Sequence, residues 1–197
     1  MCGRYQFTRD NRDEKLTAIL TLMDKKYPNS YKIGEIFPGD TAPAVIQKQG
    51  RILPVPAMFG MPGFQNGRLI INARTETVAE KPMFSDSLRE RRVVLPADGF
   101  YEWTHTIGRK KEKYFFTIDS QSIIYLCGFY KVVDGIPRFV IITRPANESI
   151  SEIHDRMPVI VSDKEVRPYL TDYSAATEII ATAAPMLSKS VVAPAAH

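Results

Sequence analysis

The stretch Thr41 to Gly60, TAPAVIQKQGRILPVPAMFG, decides the fold class. Its apolar segments Ala44-Val45-Ile46 and Ile52-Leu53 flank Gln49-Gly50, a dipeptide suited to a tight turn, so the spacing predicts a β-hairpin. Runs of branched and aromatic residues follow at Leu69 to Ile71, Val93 to Leu95, Tyr114 to Ile118, Ile123 to Tyr130 and Phe139 to Ile142, all favourable in sheets. Upstream, Asp10 is placed to cap a helix in which Leu16, Ile19, Leu20 and Met23 share one face. Short helices are predicted at Thr77 to Arg91, broken around Pro82, and at Glu148 to Ile153, Asp163 to Leu170 and Ala175 to Ala181. Many closely spaced strands with helices around them predict an α+β fold: a single domain over residues 1–197 with a curved or barrel-like, mostly antiparallel β core and peripheral helices. Residues 191–197 are small and weakly patterned and are expected to form a tail.

The composition agrees with a folded domain. Of the 197 residues 44% are apolar and 24% charged, which argues against disorder and against a coiled coil. A net charge of +4 permits an anionic partner without requiring one. The two cysteines, Cys2 and Cys127, form no paired spacing of the kind that marks a zinc site or a redox dithiol, so a reducing compartment fits. Charged and polar residues between Arg4 and Lys15 replace the apolar core of a signal peptide, and no long apolar run occurs. Secretion and a membrane partner are disfavoured, and a cytoplasmic location is expected.

Chemistry is concentrated in few places. Cys2 follows Met1, and removal of a methionine before so small a residue exposes a 1,2-aminothiol. An α-amine with a pKa of about 8 adds to an aldehyde to give an imine, and the neighbouring sulfur can close it to a thiazolidine ring. A small apolar residue at the start of a strand is the simpler reading. Glu102 lies between Tyr101 and Trp103, where desolvation would raise its pKa and suit it to proton transfer; in strict alternation it would face solvent instead. His154 titrates near neutrality, unless Asp155 or a helix end holds it structurally. Asn72 follows an apolar run and could cap a helix. Arg4 and Arg74 lie close to these residues and could grip phosphates, or form surface ion pairs. The basic runs Arg89 to Arg92 and Arg109 to Lys113 read as solvated faces first and phosphate tracks second.

Four segments in order, Met1-Cys2-Gly3-Arg4, Ile71 through Thr77, Pro96 through Trp103 and Ile153 through Pro158, resemble the SOS response-associated peptidase (SRAP) family over most of the chain. The resemblance implies that the mature N-terminal cysteine, Cys2, bonds covalently as a thiazolidine to the opened sugar of an abasic site in single-stranded DNA, shielding it during the DNA damage response. It implies supporting roles for Asn72, Glu102 and His154, phosphate contacts at Arg4 and Arg74, and a further backbone contact at Thr143. A monomer that needs no metal or organic cofactor is expected, and the imine stage would permit β-elimination, a weak lyase activity. Where some relatives carry adjacent tryptophans that wedge beside the lesion, this chain has Phe64 followed by Gln65, so Phe64 alone is the candidate for stacking on DNA. The segment after Leu187 looks abbreviated against the family's closing strand. Two rival functions are a thiol peptidase that removes its own leader, and a DNA-binding module without covalent capture.

Overall fold

The structure, a computed structural model, describes residues 2–9, 14–63, 67–104, 111–119 and 121–193. Its first half contains strands β1 (Tyr5–Phe7), β2 (Gly34–Ile36), β3 (Thr41–Lys48), β4 (Arg51–Phe59), β5 (Met61–Pro62), β6 (Leu69–Ile70) and β7 (Asn72–Arg74), with helices α1 (Glu14–Lys26) and α2 (Pro82–Glu90). Strands β8 (Arg92–Ala97), β9 (Gly99–Trp103), β10 (Lys113–Thr117), β11 (Ile124–Val133), β12 (Ile136–Pro145), β13 (Arg156–Pro158) and β14 (Ile160–Val161) follow. Helices α3 (Asp163–Thr171) and α4 (Tyr173–Ala181) and strand β15 (Ser188–Val191) end the order.

The sheet is mixed with helices outside it, as the α+β reading expects. Strands β12, β4, β3, β8 and β11 are neighbours in sequence of pairing, and β11 pairs back to β12, closing a ring. All of these pairings are antiparallel except β4 with β12. The predicted hairpin is β3–β4, in register from Thr41 opposite Met58 to Lys48 opposite Arg51. Its turn residues Gln49 and Gly50 both have positive φ, 50° and 74°, the conformation whose twist matches paired strands. A second, antiparallel sheet in the order β15-β10-β9-β1-β2 packs against the ring. Phe59 and Phe139 stack inside the ring with centroids 5.0 Å apart, and Tyr5 from the second sheet meets Phe59 edge-on at 6.1 Å.

Several local expectations change. Leu16, Leu20 and Met23 are buried along α1 as predicted, while the proposed cap Asp10 lies outside the described residues. Pro82 starts α2 rather than breaking a longer helix, because the first turn needs no N–H from it; residues 75–80 form turns. The helix expected at Glu148 to Ile153 is a pair of turns, in which Asn147 O accepts from Ser151 N at 3.0 Å and Ile150 O from His154 N at 3.0 Å. The chain enters β13 before a third turn can form. Val191, placed in the tail from sequence, is paired opposite Tyr114, and Val192 N donates to Lys113 O at 2.8 Å. The strand Ser188–Val191 carries little apolar signal, which is why its last residue read as the start of the tail.

Gly128 in β11 shows how closely the ring is built. A Cβ there would lie 2.2 Å from Val140 O and 3.2 Å from the Val93 side chain, while Gly128 O accepts from Tyr169 OH at 2.8 Å. The obstruction is backbone on a paired strand and cannot turn aside. Gly128→Ala is expected to destabilise by ~2–3 kcal/mol, the upper range for overpacking. Thermal unfolding measures it; an unchanged melting temperature would refute the rigidity of the β11–β12 pairing.

Candidate active site

Four segments bring polar side chains to one place beneath the second sheet. Asn72 begins β7, which runs parallel to β12 with Asn72 beside Ile141. Its Nδ2 donates to Cys2 O at 3.0 Å and to Ile141 O at 3.4 Å, tying the chain start to the ring. Asn72 is therefore a strand residue that holds Cys2, and the helix-capping alternative is excluded. Its buried Oδ1 has no hydrogen-bond partner among the described residues.

Cys2 is completely buried and leads into β1. Pairing of β1 with β9 continues past Tyr5 through Tyr101 N, which donates to Arg4 O at 2.9 Å. That register sets Cys2 near Glu102. Along β9, Phe100 and Glu102 point inward while Tyr101 and Trp103 are half-buried, so Glu102, 3% exposed, does not face solvent. The outward reading fails because this strand is covered on the face that carries Phe100.

Burial pushes the Glu102 carboxyl up to about 7. Burial, and then the Glu102 charge, push the Cys2 thiol far above its ordinary range. The thiol is therefore neutral at neutral pH, and a proton acceptor must assist it before sulfur can attack. The hydroxyl of Tyr5 is buried in the same region without a partner among the described residues, raised first by burial and then by Cys2.

His154 sits at the end of the second turn, nearly buried, with Nε2 3.8 Å from Glu102 Oε2. Its Nδ1 is 3.0 Å from the backbone N of Arg156 and 2.9 Å from Asp155 Oδ1. One ring state cannot satisfy both. The Arg156 amide is buried and must donate, whereas the Asp155 side chain is 80% exposed and has water, so the neutral ring accepts at Nδ1 and carries its proton on Nε2, towards Glu102. On protonation, Asp155 is at hand to receive the second N–H.

An ion pair outside the expected set fixes this arrangement. Arg156 in β13 grips Glu76 through both Nη atoms, at 2.8 Å for Nη2 to Oε2, and Nη2 also donates to Thr143 O at 2.7 Å. The Arg156 hydrogen bonds hold the Glu76 carboxyl down at about 2. The pair clamps the turn after β7 to β13, and so Asn72 to His154. Both residues lie inside motifs singled out from sequence, and their opposite charge was the available signal.

The other candidates are dispersed. Arg4, 30% exposed in its side chain, bonds Glu35 Oε1 at 3.2 Å and lies over Phe37 at 4.0 Å and Trp103 at 4.7 Å. Lys113 reaches the same Glu35 oxygen at 2.6 Å, so two cations share one carboxylate and the cluster is net positive. Arg74 is exposed and lines an open groove with Asn72, Lys81 and Met83. Thr143 is fully buried within β12, and its carbonyl is occupied by Arg156 and by Thr75 N at 2.9 Å, so it presents no surface. Phe64 lies outside the described residues. Among the described residues, no helix is long and apolar enough to cross a membrane.

The model of the SOS response associated peptidase (SRAP) family matches residues 1–194. The chain is 38% identical over 109 residues to the abasic site processing protein YoqW of Bacillus subtilis, covering 53% of this chain and 49% of that protein. It is 26% identical over 178 residues to the abasic site processing protein YedK of Escherichia coli, covering 86% and 79%. The chain thus spans about half the length of YoqW and more of YedK. A crystal structure of a Bordetella bronchiseptica protein superposes with TM-score 0.75 at 19% identity, over 98% of this chain and 100% of that one, a likeness of fold.

Proposed function

Because the chain belongs to the SOS response associated peptidase family, we propose that it processes abasic sites in single-stranded DNA by covalent capture through Cys2 once Met1 has been removed. The observation that carries this reading is the convergence of a buried thiol, a carboxyl tuned to about 7 and a histidine whose Nε2 lies 3.8 Å from that carboxyl. The names of its relatives YoqW and YedK as abasic site processing proteins support the substrate class.

The chemistry balances as a condensation. The sugar opens to the aldehyde as its anomeric hydroxyl gives a proton to Glu102 while the ring oxygen takes one from His154 Nε2, and Glu102 returns its proton to that nitrogen; the Cys2 α-amine then adds to the carbonyl carbon, and loss of one water leaves an imine. Glu102 takes the thiol proton as sulfur adds to the imine carbon, and that proton ends on the ring nitrogen of the thiazolidine. Asn72 holds the Cys2 carbonyl and has Oδ1 free to accept from the amine. Arg74, and Arg4 with Lys113, hold the flanking phosphates. The deeply buried, neutral thiol disfavours a general thiol peptidase, which needs a ready thiolate and a peptide groove.

Mass spectrometry of the protein with an abasic oligonucleotide tests this. The expected product has the summed mass less one water, survives heating, and is absent with intact DNA. No adduct, or an equal adduct with intact DNA, would overturn the proposal.

A further inference from the structure

A concave surface of about 800 Å³ lies away from Cys2, at the hairpin end of the ring. It is lined by Lys26 at the end of α1, Lys48 and Arg51 of the β3–β4 hairpin, and Arg91 after α2, over the rings of Tyr27 and Tyr130. None of the residues that line it is acidic. Elsewhere several basic side chains are matched by a carboxylate, as Arg9 with Asp24, Lys15 with Asp163, Lys32 with Asp40 and Lys189 with Glu152. In this concavity Arg91 meets its neighbour Glu90 at 3.1 Å, while Lys26, Lys48 and Arg51 have no carboxylate partner among the described residues.

Lys26 has an internal reason to be there, since a cation in the last turn of α1 complements the helix dipole. Lys48 and Arg51 have none. They stand directly opposite each other across the two-residue turn, and like charges in that position repel. The tight Gln49-Gly50 turn holds them together, so the repulsion is built into the hairpin without an internal anion to relieve it. An external anion would relieve it. Tyr130 is 9% exposed and forms floor rather than a stacking platform, which favours recognition of phosphates over bases.

We propose that this surface is a second DNA contact, binding the phosphodiester backbone of the strand that flanks the captured site. The inference rests on the proposed function. Pro137 lines the concavity and stands four residues before Ile141, the strand neighbour of Asn72. That separation is about 13 Å along β12, a span that a few nucleotides cover.

Fluorescence anisotropy with two oligonucleotides carrying an unreactive abasic analogue, of about 30 and about 6 nucleotides, tests it. Lys48→Glu is expected to lower affinity for the long strand about tenfold near 0.1 M salt and to flatten its salt slope by about 0.7, leaving the short strand unchanged. The same variant should melt at a higher temperature, because the acid then faces Arg51 across the hairpin. A merely structural role for Lys48 could not produce lower affinity together with higher stability. Lys48→Gln with Arg51→Gln should weaken long-strand binding without the charge reversal. Unchanged affinity and slope in these variants, beside normal crosslinking to a short abasic strand, overturn this inference alone. Loss of binding to a polyglutamate peptide with DNA binding intact would overturn it in favour of an acidic protein partner. Failure of the wild-type protein to bind either strand would remove the proposed function as well.

Discussion

Replacement of Cys2 by alanine is expected to abolish the heat-stable DNA adduct while leaving noncovalent affinity intact. The free α-amine remains, so an imine still forms, but without sulfur it hydrolyses back to amine and aldehyde. Ring closure by a thiol on the same residue gains the advantage of an intramolecular reaction, with effective molarities of ~10⁵ M or more. Stable adduct on a denaturing gel should therefore fall by at least about a hundredfold. Borohydride reduction should still trap the imine from Cys2→Ala, which separates loss of ring closure from loss of binding. The substitution shortens a fully buried side chain by one sulfur, and the fold should tolerate a cost of ~1 kcal/mol. Equal heat-stable adduct from variant and wild type would exclude Cys2 as the ring-closing nucleophile. A chain that keeps Met1 should form no adduct, because an acylated nitrogen cannot make the imine.

Glu102→Gln is expected to slow capture by about a hundredfold to ten-thousandfold, the usual range for general acid–base assistance. Binding to an unreactive abasic analogue should hardly change. The pH dependence identifies the group. With its carboxyl at about 7, the wild-type rate should rise with pH through an inflection near 7, as Glu102 becomes able to accept the thiol proton, and Glu102→Gln should lose that inflection. Stability moves the other way. The folded chain holds a proton on Glu102 that the unfolded chain releases near 4.5, so the wild type should lose stability as pH rises from about 4.5 to about 7. The loss amounts to ~1–3 kcal/mol, and Glu102→Gln should not show it. A variant that retains both the inflection and the stability slope would move the proton acceptor to another residue.

Much of this architecture is legible along the chain because it rests on local pattern. The hairpin at Gln49-Gly50, the strands around Val93 to Leu95, Ile123 to Tyr130 and Phe139 to Ile142, and the apolar face of α1 all follow from spacing of branched and apolar residues. Where local pattern is ambiguous, the reading slips. Pro82 could break a helix or begin one, and only the turns at 75–80 decide for the second. Glu148 to Ile153 has helical composition but lacks room for more than two turns before β13. Val191 stands at the end of a strand, Ser188–Val191, that has almost no apolar signal, and its place opposite Tyr114 is set by pairing with β10.

Chain order alone establishes which chemical groups are present: an aminothiol at Cys2 after methionine removal, a carboxylate between two aromatics at Glu102, an imidazole at His154 and an amide at Asn72. It also sets them in four motifs whose order marks the family. Their states were decided by tertiary structure. Whether Glu102 faces solvent or core turns on which face of β9 the ring covers, and burial of that face is what lifts its carboxyl to about 7. Whether His154 meets that carboxyl depends on the Arg156–Glu76 clamp, which joins residues eighty positions apart. Thr143, singled out only by the family resemblance, is sealed inside β12, while Arg74, whose guanidinium suits a phosphate, lies open at the groove. A pKa, a tautomer and a surface each depend on what surrounds a group in space, and chain order holds that information only through the fold.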